Sequence, residues 1–125
     1  MKLLLDTNAL LWLLAGDSRL SESALKNIED DNEVVVSEIT LWEISIKISI
    51  GKLGPIPELK TTINNLGFSR LNIRDAHLTT YESMPLLHRD PFDRMLVAQA
   101  LVENATLVTS DTFLEEYGVK IISAT

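Results

Sequence analysis

The apolar residues of this chain follow two different spacings that alternate from one end to the other. Short uninterrupted apolar runs are typical of strands buried on both faces, and they predict strands at Lys2–Leu5, Val34–Val36, Ser69–Ile73, Thr106–Thr109 and Val119–Ile122. The longer segments between them predict helices, caps included, at about Ala9–Ala15, Ser21–Asp30, Ser37–Ile50, Glu58–Leu66, Asp75–Glu82, Asp90–Asn104 and Thr112–Tyr117. This alternation predicts one α/β domain over residues 1–125, with a mostly parallel central sheet of four to five strands.

Capping residues and helix breakers predict several boundaries. Gly16 is a usual left-handed stop for the first helix, and Asp90 followed by Pro91 is the expected start of the last long helix. The segment Gly51–Pro57 holds two glycines and two prolines, so it is predicted to be a loop. No repeat or low-complexity tract divides the sequence, and we therefore expect a single domain.

The composition argues against several classes of site. The chain has no cysteine and two histidines, which disfavours disulfides, thiolate zinc sites, a cysteine nucleophile and a histidine-rich metal site. The longest apolar stretch, Ala9–Ala15, is far shorter than the roughly 20 residues of a membrane span. A formal net charge of −7 disfavours a broad basic face for nucleic acid, although bound cations would reverse the charge locally. We expect a soluble cytoplasmic protein with no membrane contact.

Two acidic residues directly follow predicted buried strands. Asp6 comes after Leu3–Leu5, and Asp111 comes after the run that ends at Ser110. Because parallel strands end on the same side of a sheet, both carboxylates are predicted to lie at its carboxyl edge, where α/β proteins bind ligands. Each residue also precedes a predicted helix, so a helix cap is an alternative interpretation for both.

A third acid, Glu43, lies within a largely apolar predicted helix. It shares one helical face with Ile39, Ile46 and Ile50. A charge within an apolar stripe is rarely left without a partner, which favours a functional role. The alternative is a surface ion pair with Lys47, four residues later, which would contribute little to stability.

Two more acids open the predicted helix that begins near Pro91. Asp90 is expected to be its N-cap, whereas Asp93 lies in the first turn, where the helix dipole favours a negative charge. Because small residues follow on this helix, one face is expected to pack closely on the sheet. That packing would place Asp93 near the edge of the sheet.

The pattern thus places four acids near one edge, namely Asp6, Glu43, Asp93 and Asp111. If their side chains meet, they cannot all remain ionised without a cation. A divalent metal held by oxygen ligands is the natural cation for such a cluster.

Other residues carry weaker signals. His88 is interpreted as a loop residue, with a ligand as the alternative, and Trp12 and Trp42 are interpreted as core or interface residues of apolar helices. Three basic residues flank the acids and are candidate phosphate contacts: Lys47, Arg89 and Arg94.

Four segments occur in the order Leu3-Leu4-Leu5-Asp6-Thr7-Asn8, Trp42-Glu43-Ile44, Asp90-Pro91-Phe92-Asp93-Arg94 and Thr109-Ser110-Asp111. Together they resemble the motifs of the PIN-domain nucleases, in particular the VapC-like toxins of bacterial and archaeal toxin–antitoxin pairs. The likeness covers the whole chain. It implies a three-layer α/β/α sandwich with a central, mostly parallel sheet, and an RNA endonuclease that uses Mg²⁺ or Mn²⁺.

The resemblance also implies roles for individual residues. The acidic quartet that holds the metal corresponds in this chain to Asp6, Glu43, Asp93 and Asp111. Many relatives have one acid where this chain has two, so Asp90 is a candidate supporting residue, as are Asn8 and Ser110. Metal-assisted hydrolysis of the phosphodiester is expected to leave a 5′-phosphate and a 3′-hydroxyl.

The amount of apolar helix surface predicts partners. The helices around Ala9–Leu14 and Leu41–Ile50 are apolar on more than one face, which is more than a chain of this length readily buries. We expect a homodimer, and a groove that accepts the amphipathic segment of a small VapB-like antitoxin. A basic residue of that segment is expected to reach the four carboxylates.

Three other classes of protein share parts of the pattern. A phosphorelay receiver needs a pair of acids after the first strand, but Thr7 and Asn8 follow Asp6. A haloacid-dehalogenase-type phosphatase needs an aspartate at the position of Asn8. A non-catalytic regulatory protein that keeps the fold and binds RNA or a partner remains an open alternative.

Overall fold

A five-stranded sheet runs through the computed structural model, which describes all 125 residues. The strands are β1 (Lys2–Leu5), β2 (Glu33–Ser37), β3 (Ser69–Leu71), β4 (Thr106–Thr109) and β5 (Ile121–Ser123). The helices are α1 (Thr7–Ala15), α2 (Glu22–Glu29), α3 (Glu38–Ser49), α4 (Leu59–Asn65), α5 (Asp75–Ser83) and α6 (Pro91–Glu103), and a 3₁₀ helix spans Thr112–Tyr117. None of these helices has both the length and the apolar composition that crossing a membrane requires.

The strand order is β3-β2-β1-β4-β5, and all four neighbouring pairs are parallel. The predicted fold class is therefore confirmed, with an entirely parallel sheet where the sequence predicts a mostly parallel one. Because all strands point the same way, the carboxyl ends of β1, β2 and β4 lie at one edge of the sheet.

Two apolar cores cover the two faces of the sheet. Along β1, Leu3 and Leu5 belong to one core and Leu4 to the other, as the alternation of side chains along a strand requires. The first core includes buried residues of α1, α2, α3 and α4, and the second includes the buried face of α6. Helices on both faces of a parallel sheet give the three-layer sandwich that the resemblance implies.

Local chemistry explains where the observed elements differ from the predicted ones. The Asp6 side chain accepts a hydrogen bond from the Ala9 amide, so α1 begins at Thr7, two residues earlier than predicted. Strand β3 ends at Leu71, its last residue paired with β2, which leaves Ile73 beyond the sheet and 43% exposed. Strand β5 begins two residues later than predicted, because Gly118 closes the preceding 3₁₀ turn with a φ of 84°.

Candidate functional site

A polar cavity of about 230 Å³ opens at the carboxyl edge of the sheet. The residues that follow β1 and β4, the middle of α3 and the first turn of α6 contribute to it. No apolar residue lines it, and its lining consists of Asp6, Thr7, Asn8, Glu43, Lys47, Asp90, Asp93, Ser110 and Asp111. All four acids of the predicted quartet therefore line one cavity.

Asp6 is the most deeply buried of these acids, with 6% of its surface exposed. Its Oδ1 accepts a hydrogen bond from the Ala9 amide at 2.7 Å, so the residue caps α1 and also lines the cavity. Burial raises the pKa of this carboxyl, and the charge of Glu43 adds to the effect, while hydrogen bonds from Ala9, Thr109 and Ser110 oppose it. The helix-cap interpretation of Asp6 is therefore confirmed, and its carboxyl also lies at the predicted edge of the sheet.

Asp93 lies in the first turn of α6, and its carboxyl is held in an unfavourable environment for a charge. Burial raises its pKa to about 7, and the neighbouring charges of Asp90, Asp6 and Glu43 contribute to the rise, while His88 opposes it. Three other acids disfavour the ionised form of Asp93, so the acids converge on this residue. Such a perturbed group in a cleft is characteristic of functional sites.

Glu43 reaches the cavity from α3, and only part of the stripe that the sequence suggests is buried. Of that stripe, Ile39 is buried and Ile50 is 59% exposed, while Leu41 and Ile44 extend the buried face of α3. The Glu43 carboxylate accepts a hydrogen bond from the Thr7 hydroxyl at 2.5 Å. It also pairs with Lys47 at 3.3 Å, so the ion pair considered as an alternative is present at the wall of the cavity.

Asp111 follows β4 and caps the 3₁₀ helix through a hydrogen bond from the Phe113 amide at 3.2 Å. Its other oxygen lies 2.7 Å from Nε2 of His88, and the same nitrogen lies 3.9 Å from Oδ2 of Asp93. One ligand atom from each of the three residues lies within 4.8 Å of the others. His88 lies in the loop before α6, as predicted, and the structure adds that this loop brings its ring against two of the acids.

The supporting residues predicted from the resemblance occupy different positions. Asn8 and Ser110 both line the cavity. Asp90 lines it too, and its Oδ1 accepts hydrogen bonds from the amides of Phe92 at 2.8 Å and Asp93 at 3.4 Å. Asp90 is therefore the N-cap of α6, and its charge lies next to Asp93.

The three candidate phosphate contacts lie in different environments. Lys47 is the one basic side chain of the cavity lining, and Arg89 is exposed in the adjoining loop. Arg94 is 7% exposed, and its guanidinium lies over the ring of Tyr81 at 4.4 Å and donates to the Tyr117 hydroxyl. The structure gives Arg94 a packing role in place of the predicted phosphate contact, because its buried guanidinium is already engaged.

The donor set of the cavity fits a hard divalent cation. Five carboxyl groups and one lysine line the cavity, which leaves an excess of negative charge. Burial is the main cause of the raised pKa values of Asp6 and Asp93, and the charges of neighbouring acids add to it, so a counter-charge would favour their ionised forms. Carboxylate oxygens are the ligands that Mg²⁺ and Mn²⁺ prefer, so Asp6, Glu43, Asp93 and Asp111 would hold the ion.

A pH effect on the metal-free protein follows from Asp93. Its pKa rises from an ordinary value of 3.8 to about 7 on folding, so its contribution to stability is fully present below pH 3.8 and is lost as the pH passes 7. We therefore expect the melting temperature of wild type, minus that of Asp93→Asn, to fall across this window. Thermal melts in excess EDTA measure the difference, and an unchanged difference across the window would contradict the assignment.

Comparisons with known proteins give matches along the whole chain. A family model described as the PIN domain matches residues 3–120. Ribonuclease VapC22 of Mycobacterium tuberculosis is 27% identical over 121 residues, which are 91% of this chain and 90% of that protein. The structure of VapBC2 from Rickettsia felis bound to a DNA fragment from their promoter has a TM-score of 0.75 at 18% identity and covers 98% of both chains. DNA-bound VapBC from Salmonella typhimurium has a TM-score of 0.70 at 16% identity, with 100% and 99% covered.

Proposed function

Because this chain belongs to the PIN domain family, as the sequence predicts, we propose that it is a divalent-metal-dependent endoribonuclease and the toxin of a VapBC-type pair. The observation that carries the proposal is the single polar cavity into which four separated segments bring Asp6, Glu43, Asp93 and Asp111. The similarity to a protein named as a ribonuclease supports RNA as the substrate. Its place of action would be the cytoplasm.

The reaction proposed is the hydrolysis of an RNA phosphodiester by water. A bound divalent ion would acidify the attacking water and neutralise charge on the phosphoryl and leaving oxygens. The four carboxylates would fix the ion, and the Thr7 hydroxyl orients Glu43 through its hydrogen bond. Lys47 lies at the wall of the cavity, where its ammonium group would contact a phosphate of the substrate.

No covalent bond to the protein is needed in this scheme. The oxygen of water bonds to phosphorus, and the bond from phosphorus to the 3′ oxygen breaks. One product then carries a 5′-phosphate and the other a 3′-hydroxyl.

The test is the cleavage of a pool of random-sequence RNA oligonucleotides by the purified chain in the presence of Mg²⁺ or Mn²⁺. We expect products with 5′-phosphate ends, which a ligase that requires this end will join to an adapter. Cleavage that leaves cyclic 2′,3′-phosphates would indicate attack by the RNA's own 2′-hydroxyl and would contradict the mechanism. Binding of RNA without cleavage would favour the non-catalytic alternative.

A groove beside the cavity supports an antitoxin as a partner. The groove has a volume of about 520 Å³ and is lined on its apolar side by Leu11, Trp12, Leu14, Ala15, Leu53 and Ile56. It shares Asn8 and Lys47 with the acidic cavity. An amphipathic antitoxin segment in this groove would bring a basic side chain within reach of the carboxylates. Reversing the charge of that side chain should abolish the inhibition of RNA cleavage by the antitoxin. The similar VapBC structures support this partner.

A second apolar surface supports a homodimer. Trp42 is 58% exposed, its ring lies 5.3 Å from that of Phe92, and both rings border a cleft with Ile39, Tyr81 and Met95. Exposed aromatic clusters of this kind are typical of interfaces. We expect light scattering at micromolar concentration to give twice the chain mass of 14.0 kDa, and Trp42→Glu to shift it toward the monomer. A wild-type protein that is a clean monomer would contradict the dimer.

A further inference from the structure

His88 is a polar side chain at the acidic cavity to which the proposed function assigns no role. Its Nε2 lies 2.7 Å from Oδ2 of Asp111. The side chains of His88 and Asp111 are 22% and 38% exposed, so this contact is partly shielded from bulk water. Hydrogen bonds to ionised carboxylates in such surroundings are among the stronger ones in proteins.

The hydrogen bonds of the ring define which nitrogen donates. The backbone N–H of Asp90 donates to Nδ1 of His88 at 3.2 Å. A ring nitrogen that accepts a hydrogen bond carries no proton, so the neutral ring has its proton on Nε2 and donates it to Asp111. Both ring nitrogens are therefore engaged, and neither offers a free lone pair to a metal ion.

The backbone that carries His88 is also fixed. The Tyr117 hydroxyl accepts hydrogen bonds from the amides of Leu87 at 3.2 Å and His88 at 2.9 Å. Tyr117 ends the 3₁₀ helix that Asp111 caps. The loop before α6 is thus tied to the same element as Asp111, which fixes the distance between the ring and the carboxylate.

Asp111 has few other restraints. Its side chain is 38% exposed, and its second oxygen accepts a hydrogen bond from the Phe113 amide. If the ring were absent, this one bond would leave Oδ2 of Asp111 free to turn toward water. Hydrogen bonds to ligating side chains orient them for the metal, and their loss typically costs about 10- to 100-fold in metal affinity.

We propose that His88 is a positioning residue whose Nε2–H holds the Asp111 carboxylate in the orientation that completes the divalent-cation site. The inference rests on the proposed function, since it requires that Asp111 binds a metal. It assigns His88 no contact with the metal and no proton transfer.

Two substitutions separate the hydrogen bond from the imidazole ring. The amide of an asparagine ends near the position of Nδ1 and cannot reach Asp111, whereas the amide nitrogen of a glutamine reaches the position of Nε2. His88→Asn therefore removes the donor, and His88→Gln retains it. Leu86→Asn places the same new side chain at an 85% exposed position of the same loop and is the matched control.

The measurement is the rise in melting temperature as Mg²⁺ is added, which gives the half-saturating concentration without reference to catalysis. We expect His88→Asn to raise this concentration by about 10- to 100-fold, while His88→Gln and Leu86→Asn stay close to wild type. In the Asp111→Asn background, His88→Asn should have little further effect, because it acts through that carboxylate.

The outcomes distinguish the inference from the proposed function. A wild-type protein that Mg²⁺ does not stabilise would contradict the proposed function itself. If wild type is stabilised, the positioning role is overturned when His88→Asn has the half-saturating Mg²⁺ concentration of wild type. It is also overturned when His88→Gln raises that concentration as much as His88→Asn does. In a parallel Co²⁺ titration, a loss of affinity in His88→Asn that the Mg²⁺ titration does not show would indicate a ring nitrogen acting as a ligand and would also overturn the positioning role. If His88→Asn does not fold, His88→Ala takes its place as the variant that lacks the donor, and the same criteria apply.

Discussion

Asp6→Asn is expected to reduce RNA cleavage by at least about 100-fold while leaving the fold intact. The substitution keeps the oxygen that accepts from the Ala9 amide, so α1 retains its cap. It removes a carboxylate charge from the lining of the acidic cavity, and the proposed mechanism requires that charge to hold the metal. Because burial raises the pKa of Asp6, the neutral variant should melt no lower than wild type in EDTA.

The initial rate on the RNA pool measures the loss of cleavage, and circular dichroism shows whether the fold is intact. Asp31→Asn is the matched control, since it makes the same change at an exposed position before β2, at the opposite edge of the sheet. Glu43→Gln, Asp93→Asn and Asp111→Asn should behave like Asp6→Asn. Wild-type cleavage by Asp6→Asn, after removal of contaminating nucleases, would exclude Asp6 from the site.

Asp90→Asn is expected to have a milder effect than substitution of the quartet. An asparagine at this position can still accept from the Phe92 amide and cap α6. It removes a charge that disfavours ionisation of Asp93. A loss as large as that of Asp93→Asn would instead place Asp90 among the metal ligands.

Excess EDTA is expected to abolish cleavage, and Mg²⁺ or Mn²⁺ added beyond the chelator should restore it. Five carboxyl groups and a single lysine, Lys47, line the cavity, so without a bound cation the carboxylates outnumber the one positive charge and repel a phosphate. Circular dichroism in EDTA should remain that of the folded protein, because two complete apolar cores hold the sheet. Cleavage that persists in EDTA would contradict the metal-dependent mechanism.

The acids at strand ends could be predicted from sequence because they depend on local pattern alone. A buried run followed by an acid, as at Asp6 and Asp111, places the side chain at the carboxyl edge once the strands are parallel. The position of Asp93 follows in the same way from the capping sequence Asp90–Pro91. Local rules also predicted the caps Ser21 and Ser37, and both are observed.

Other parts of the site depend on tertiary packing and could not be predicted. The sequence identified Glu43 from an apolar stripe that is only partly buried, since Ile39 lies in a core whereas Ile50 is exposed. The contact of His88 with Asp111 joins an irregular loop to a strand end 23 residues away, and no periodicity encodes it. Arg94 flanks the acids in sequence, yet its position on α6 directs its guanidinium toward Tyr81 and Tyr117.

A crystal grown with Mn²⁺ and measured at the manganese absorption edge tests most directly whether the four carboxylates form a metal site. We expect an anomalous peak within coordinating distance of carboxylate oxygens from Asp6, Glu43, Asp93 and Asp111. The peak should be lost in Asp6→Asn and kept in Asp31→Asn. An ordered, folded crystal with no manganese between these side chains, or with manganese bound elsewhere only, would contradict the account.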